Sequence, residues 1–388
     1  MRKLHSSVDP PPEQPPLRKR SHPHYNHHIT LSLITLADIQ AAHHRIAGTA
    51  IRTPLVRLNR ARLRMAGFHK LADTTPDIYL KDESAQPIGS FKLRGAYNKI
   101  AQLSPDELRR GVITYSSGNH AQGVAYAARA LGSKAVIVMP SNAPQIKREA
   151  TRALGAEIVE VGPASTERKL RAEQLAATHG YTIIPPYDDP AIIAGQATCG
   201  LEILQQLPSV DLVLSPVSGG GLLSGVATAI KLSAAPQNRV PQVSLLRPGL
   251  QDAPDLPKIY GCEPELAADA AESFRTRTLT EWPAAKTSRT LCDGLRTQSL
   301  GTLNFDHILH FADGIITLTE SEIRLATRII LTATNLTAEP SGAITLAAAL
   351  FHHQDLPPAQ KIVAILSGGN LDPTLRSELQ NESAAIPV

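Results

Sequence analysis

Four short stretches, far apart but in order along the chain, hold the residue types that could do chemistry. The first is Ser90-Phe91-Lys92-Leu93-Arg94-Gly95-Ala96, with a lysine amine as the candidate nucleophile. Then come Ser116-Ser117-Gly118-Asn119-His120, Ser218-Gly219-Gly220-Gly221-Leu222 and Ser367-Gly368-Gly369-Asn370. An amine that forms Schiff bases must be partly desolvated, because burial lowers its pKa and frees the lone pair. Phe91 and Leu93 flank Lys92 and could supply that apolar cover. Lys92 falls at an expected helix start, a geometry that turns Lys92 inward and Arg94 outward. The bland reading stays open beside it, since most lysines are solvated surface charges.

The glycine run carries a separate argument. Leu212-Val213-Leu214 reads as a strand leading into it, and a helix is expected from about Leu222, so backbone N–H groups and the helix dipole would face a dianion. Two rivals remain. Gly219, Gly221 and Ser224 nearly match a dinucleotide fingerprint, but the last glycine is a serine, and the acidic residue expected about 20 positions on falls in a Pro-rich stretch. The other rival is a tight strand-to-helix turn with no ligand. Taken together, an amine, a polar loop, a phosphate cradle and a hydroxyl on a late glycine-rich turn describe a pyridoxal phosphate site.

Positioning such residues requires alternating strands and helices, and the chain supplies them. Val112–Tyr115, Ala135–Met139, Glu157–Val161 and Tyr181–Ile184 read as strands, separated by helices over Ala121–Leu131, Ala143–Leu154 and Ser165–His179, with Gly132 and Gly155 as stops. The rhythm resumes with strands at Leu212–Leu214, Ile259–Cys262, Ile315–Leu318 and Ile362–Leu366 and a helix from Ser321 to about Leu336. This is the pattern of an α/β fold with mainly parallel sheets. Ala234–Pro257 breaks it and reads as a surface insertion; Leu71–Ile78 reads as a smaller one.

Composition narrows the function classes. The 388 residues are 42% hydrophobic, enough for two lobes, and the net charge is +4. Residues 1–30 hold five Lys/Arg against two Asp/Glu, so the body is close to neutral and gives no electrostatic reason to bind nucleic acid or an anionic membrane. No apolar run approaches the roughly 18 residues of a spanning helix. The tail, with Pro10-Pro11-Pro12, Arg18-Lys19-Arg20 and a histidine cluster from His22 to His28, is expected to be disordered. Its acidic residues and prolines argue for cytoplasm over a mitochondrial presequence, with the mitochondrion as the alternative. Cys199, Cys262 and Cys292 lack metal or redox spacing and suit a reducing compartment.

From about Ile34 to Asn370 the chain resembles the fold-type II pyridoxal phosphate enzymes (tryptophan synthase β-like), and within them the serine/threonine dehydratase and serine racemase family. The four stretches above carry the resemblance, together with Ala194-Gly195-Gln196, Glu263-Pro264, Asp293-Gly294-Leu295 and Glu339-Pro340. It implies two open α/β domains: a small one of residues 111–188 inserted into a large one of 34–110 and 189–388, after a tail of 1–33. It also implies a homodimer acting on a small amino acid. The expected activity is dehydration and deamination of L-serine or L-threonine to a 2-oxo acid and ammonia. Serine racemase with side dehydratase activity and L-threo-3-hydroxyaspartate ammonia-lyase are the alternatives.

By the same resemblance, Lys92 would carry the cofactor and then act as the base for the substrate α-proton. Phe91 would pack on the ring, Asn119 would bond the phenolic oxygen, Ser218, Gly219, Gly220 and Gly221 would hold the phosphate, and Ser367 would bond the pyridine nitrogen. Ser116, Ser117 and His120 belong to the loop expected to grip the substrate carboxylate, and Arg168 matches a racemase arginine. Ser117 matches the residue that works the face opposite the lysine in racemases, yet related dehydratases have a serine there too. Tyr187-Asp188-Asp189-Pro190 reads like the dehydratases. Glu263, Ala267 and Asp269, spaced i, i+4, i+6, match a Mg2+ or Ca2+ site of two carboxylates and a carbonyl; by spacing alone they are a solvated acidic turn. After Asn370 only about one further helix is expected, which leaves no room for a regulatory domain.

Overall fold

The computed structural model describes residues 33–116, 118–141, 143, 145–162, 165–234 and 256–382. Among the described residues ten strands run in chain order: β1 (Leu55–Arg57), β2 (Asp77–Asp82), β3 (Val112–Tyr115), β4 (Ala135–Pro140), β5 (Glu157–Val161), β6 (Thr182–Ile183), β7 (Leu212–Pro216), β8 (Lys258–Pro264), β9 (Gly314–Leu318) and β10 (Lys361–Leu366). They form two sheets. The larger has the order β1-β2-β10-β7-β8-β9, and the smaller β5-β4-β3-β6.

Every pairing is parallel except β1 with β2. Parallel strands need helical crossovers that cover both faces, so their residues must be apolar throughout rather than alternating. β4 and β7 follow that rule and are buried along their whole length. β10 lies between β2 and β7, so Val363 faces Tyr79 on one side and Val213 on the other. Strands remote in sequence therefore meet at the centre of the sheet, and their carboxyl ends open on one region. In open parallel sheets that is where ligands bind.

Local sequence explains the helix starts. Thr35 with Asp38, Ser104 with Glu107 and Thr319 with Glu322 form reciprocal capping boxes. Asp188 and Asp189 are adjacent yet cap different helices. Asp189 accepts from Ala191 and Ile192 at the start of helix Pro190–Gln206, while Asp188 accepts from the N–H groups of Thr302, Leu303 and Asn304 at the start of helix Thr302–Phe311. Helix Asn119–Ala130 begins two residues earlier than its alanine run suggests, which puts Asn119 itself in the first turn.

Two expectations need correction. Leu71–Ile78 is not a surface insertion: it spans the end of helix His69–Thr74 and the start of β2, with Ala72 and Ile78 buried. Arg94 does not point outward but is fully buried, for the reason given below. Most of Ala234–Pro257 and the tail to residue 32 lie outside the described residues; Leu256, at the end of the former, is buried. The described residues from Leu33 onward form one unit, and no helix among them is long and apolar enough to cross a membrane.

Candidate active site

Lys92 opens helix Lys92–Ile100, and no side chain caps that start. Its Nζ donates to the Pro186 carbonyl at 2.8 Å and lies 5.1 Å from the centre of the Phe91 ring. Burial pushes the amine down to about 8, so an appreciable fraction is neutral near neutral pH.

Arg94, one half-turn on, anchors that helix from below. Its Nε donates to Glu83 at 2.8 Å and its Nη1 to Glu202 at 2.7 Å, and Lys81 donates to Glu202 at 2.6 Å. All four side chains are buried, two cations against two carboxylates, and the network joins the lysine helix to β2 and to helix Pro190–Gln206. Burial alone would raise the Glu83 carboxyl, but the Arg94 guanidinium holds it down at about 2. The two helices cross with almost no gap. A Cβ on Gly195 would lie 2.6 Å from the Arg94 carbonyl oxygen, and one on Gly95 would lie 2.4 Å from Gln196 Nε2. Gly95 and Gly195 are therefore packing residues that place the helix carrying Lys92.

The glycine loop leaves the carboxyl end of β7 and enters helix Gly221–Ala234. Gly220 has φ +95, a conformation that favours glycine, and the Gly219 carbonyl accepts from Asn304 Nδ2 at 2.6 Å. Ser218 Oγ bonds Thr297 Oγ1 at 2.8 Å. The Tyr187 ring lies on the loop: a Cβ on Gly219 would come within 2.4 Å of ring carbons. A cavity of about 230 Å3 opens beside it, lined by Tyr115, Pro186, Tyr187, Asp188 and Leu300 among others. Pro186, one of its lining residues, also accepts from Lys92. A larger concavity of about 670 Å3 lies at the other end of the strands, near Asp77 and Gln360, away from these residues.

Ser116 and Asn119 follow the carboxyl end of β3. Ser116 Oγ accepts from the Gly118 N–H at 3.3 Å, while Ser117 lies outside the described residues. Asn119 Nδ2 donates to Glu339 Oε1 at 2.6 Å, and Asn119 Oδ1 accepts from Asn370 at 2.7 Å. Burial and the charge of Asp293 push Glu339 up to about 8. Ser367 follows β10, buried, with a long 3.4 Å contact to the Ser341 carbonyl.

His120 is buried and its Nε2 sits 3.1 Å from the Ile184 carbonyl oxygen; burial and the nearby Lys92 charge push it down to about 3. It is neutral and already committed to the backbone. Arg168 is half-buried on helix Ser165–His179, and desolvation lowers its pKa.

Glu263, at the end of β8, accepts from the Ala270 and Ala271 N–H groups at 3.0 and 2.8 Å. Asp269 is buried, and its Oδ2 has no hydrogen-bond partner. Burial pushes Asp269 up to about 7 and raises Glu263 well above the carboxylate range, with the Asp269 charge adding to the latter. This is not a solvated acidic turn.

The residues fit pyridoxal phosphate on three counts: a desolvated amine, a glycine loop with no room for a Cβ at Gly219 or Gly220, and a buried hydroxyl after β10. Glu339, Asn370 and Tyr187 escaped assignment from sequence. Each stands in or beside a matched motif, but only the contacts with Asn119 and the glycine loop disclose what it touches.

A family model described as pyridoxal-phosphate dependent enzyme matches residues 46–368. The chain is 36% identical over 338 residues to the L-threo-3-hydroxyaspartate ammonia-lyase of Saccharomyces cerevisiae, covering 87% of this chain and 94% of that protein. The crystal structure of T.th. threonine deaminase is 40% identical, with TM-score 0.75, over 87% of this chain and 99% of that one. Maize serine racemase is 32% identical, with TM-score 0.77, over 89% and 97%.

Proposed function

This chain belongs to the pyridoxal-phosphate dependent enzyme family, and from that premise we propose that it is an ammonia-lyase that eliminates water from L-serine or L-threonine, the resulting enamine then taking up water and losing ammonia to leave a 2-oxo acid. One observation carries the reading: the amine of Lys92, lowered to about 8 by burial, lies between the turn after β10, where the Phe91 N–H donates to the Ser367 carbonyl at 3.0 Å, and the segment after β6, where its Nζ donates to the Pro186 carbonyl at 2.8 Å. Pyridoxal phosphate, when bound, supplies the electron sink for the charge left by the departing α-proton.

The roles of the chain's residues follow from their surroundings. Lys92 would hold the cofactor covalently and, once released as a neutral amine, take the α-proton at Nζ. Its partner, the Pro186 carbonyl, favours an N–H aimed at it and so leaves the lone pair elsewhere. Phe91 and the surrounding burial exclude water from the amine. Ser218 and the N–H groups of Gly219, Gly220 and Gly221 would hold the phosphate at the start of a helix, where the dipole favours an anion. Ser367 would bond the ring nitrogen. A hydroxyl, unlike a carboxylate, does not enforce protonation there, and a tempered sink suits loss of a β-hydroxyl. Ser116 and the loop after it, including Ser117, would hold the substrate carboxylate. His120 is better read as a support of that loop, since its Nε2 is taken by Ile184.

A structural cation at Glu263, Ala267 and Asp269, Mg2+ or Ca2+, is part of the proposal. Two buried carboxylates, one with an unpartnered oxygen, favour a divalent ion between them. The smaller sheet supports residues 111–188 as a small domain set into a large one of 34–110 and 189–388. A homodimer and a cytoplasmic location are further expectations of the family resemblance.

A second reading, serine racemase with side dehydratase activity, is supported by Arg168, and L-threo-3-hydroxyaspartate ammonia-lyase by the yeast relative. Arg168 has no hydrogen bond or ion pair among the described residues, and its chain neighbour Lys169 lines the 230 Å3 cavity. A panel of L-serine, D-serine, L-threonine and both 3-hydroxyaspartates, scored for 2-oxo acid and enantiomer with and without Mg2+, tests both. Oxo acid from L-serine or L-threonine without D-serine is the expected outcome; D-serine as the main product from L-serine overturns the first reading.

A further inference from the structure

Asn119 is held from both sides. Its carboxamide offers two N–H groups and one acceptor oxygen. Glu339 Oε1 takes one N–H at 2.6 Å, and Asn370 Nδ2 occupies the oxygen at 2.7 Å. Asn370 is itself fixed, because its Nδ2 also donates to the Ile88 carbonyl at 3.0 Å and so has spent both its hydrogens. Rotating the Asn119 amide by half a turn would set its nitrogen against Asn370 Nδ2, which offers no acceptor, and would forfeit the N–H bond to Glu339 Oε1. Only one orientation is allowed, and it leaves one N–H of Asn119 uncommitted to these partners.

The backbone has been cleared for both holding residues. A Cβ on Gly368 would lie 2.6 Å from Glu339 Oε1 and 3.1 Å from Asn119 Nδ2. At Gly89, with φ +71, a Cβ would lie 2.6 Å from Asn370 Oδ1. The Glu339 N–H donates to the Gly368 carbonyl at 3.0 Å, and the Gly369 N–H to the Gly89 carbonyl at 2.9 Å, so the two glycine segments are bonded to the holding elements. Glu339 comes from the start of helix Pro340–Phe351 and Asn370 from beyond β10.

We propose that Glu339 and Asn370 are positioning residues that lock the Asn119 amide in one orientation, so that its remaining N–H meets the phenolic oxygen of the cofactor. The proposal rests on the reading that Asn119 faces that oxygen. A donor there stabilises the oxygen's negative charge. Losing it makes the oxygen more basic and tightens its grip on the proton it shares with the lysine linkage.

The test uses the holoenzyme and two readouts besides turnover: the pH titration of the visible absorbance of the bound cofactor, and the cofactor dissociation constant. Glu339→Ala and Asn370→Ala should each raise the titration midpoint by about half a unit to one unit and weaken cofactor binding about five- to tenfold, the scale of one net hydrogen bond. Glu339→Gln keeps an acceptor for Asn119 and should stay within about twofold of the parent. Asn119→Ala separates the two ideas. If it moves neither readout, the reading of Asn119 fails and the proposal with it. If it moves both while Glu339→Ala and Asn370→Ala move neither, the proposal alone is overturned. An effect of Glu339→Gln equal to that of Glu339→Ala would assign the role to charge instead of orientation, and also overturns it. Should Glu339→Ala not fold by circular dichroism, Asn370→Ala decides the matter, because it removes the opposite constraint.

Discussion

Lys92 Nζ donates to the carbonyl oxygen of Pro186 at 2.8 Å, so this buried amine is held by the segment that leaves the smaller sheet. That segment continues into Tyr187, Asp188 and Asp189, which cover the glycine loop and cap two helices. One short stretch thus ties the amine, the cradle and two helices to each other.

The amine should react as a base near 8. Apoenzyme mixed with pyridoxal phosphate is expected to regain its visible absorbance at a rate that rises with pH and levels off above about 8, because only the neutral amine attacks. Stopped-flow absorbance across pH 6 to 10 (about that range spans the change) checks this; Lys92→Ala should abolish the band. By linkage, a folded-state pKa below the ordinary 10.5 means the unfolded chain binds more protons between about 8 and 10.5, so this group makes apoenzyme stability rise with pH there.

Arg94 should matter for stability more than a surface cation does. Arg94→Met leaves Glu83 and Glu202 buried with only Lys81 to answer them, and the expected loss is about 3–5 kcal/mol in urea unfolding. In the parent, the depressed Glu83 pKa contributes stability that is present above the ordinary 4.5 and lost as pH falls toward about 2; the variant should lack that contribution.

Gly219→Ala should crowd Tyr187. The added methyl would sit 2.4 Å from ring carbons, and overpacking of this kind costs about 1–3 kcal/mol. Weaker retention of the cofactor on dialysis is expected, with the combined Tyr187→Ala, Gly219→Ala variant recovering folding stability. Equal stability of Gly219→Ala and the parent would show that the ring moves freely off the loop.

His120 should make the protein acid-sensitive. Its folded pKa, about 3, lies below the ordinary 6.5, so between these values only the unfolded chain takes up the proton, and stability drops as pH falls. His120→Asn should flatten that slope by up to about 1.4 kcal/mol per pH unit, measured by denaturation at several pH values.

A divalent ion should stabilise the parent through Asp269. Adding Mg2+ or Ca2+ is expected to raise the thermal midpoint, and Asp269→Asn to remove the response while leaving the fold intact. An unchanged midpoint at millimolar ion would dismiss the site.

The α/β rhythm, most strand positions and the polar and glycine-rich turns after strands were legible because each depends on local pattern: apolar runs of strand length and glycine stops. Leu71–Ile78 was not. Its mixed composition looks like an insertion, but Ala72 and Ile78 gain their burial from partners far along the chain, Ile78 beside Ile362 on β10. Arg94 misled for the same reason. A helix-face argument sends a charged residue to solvent, and only the arrival of Glu83 and Glu202 from two other elements makes its burial favourable.

By itself, the sequence determined which groups are available: an amine beside an aromatic ring, a glycine-rich loop, an asparagine in a polar turn after a strand and a hydroxyl after another strand. Tertiary structure alone decided their state. Burial sets the Lys92 amine near 8, the crossing at Gly95 and Gly195 sets where its helix lies, and Glu339 and Asn370 set which way Asn119 turns. Desolvation and hydrogen-bond direction arise from atoms brought together across more than 200 positions of chain, as between Asn119 and Glu339. A linear pattern names such residues without telling what they face.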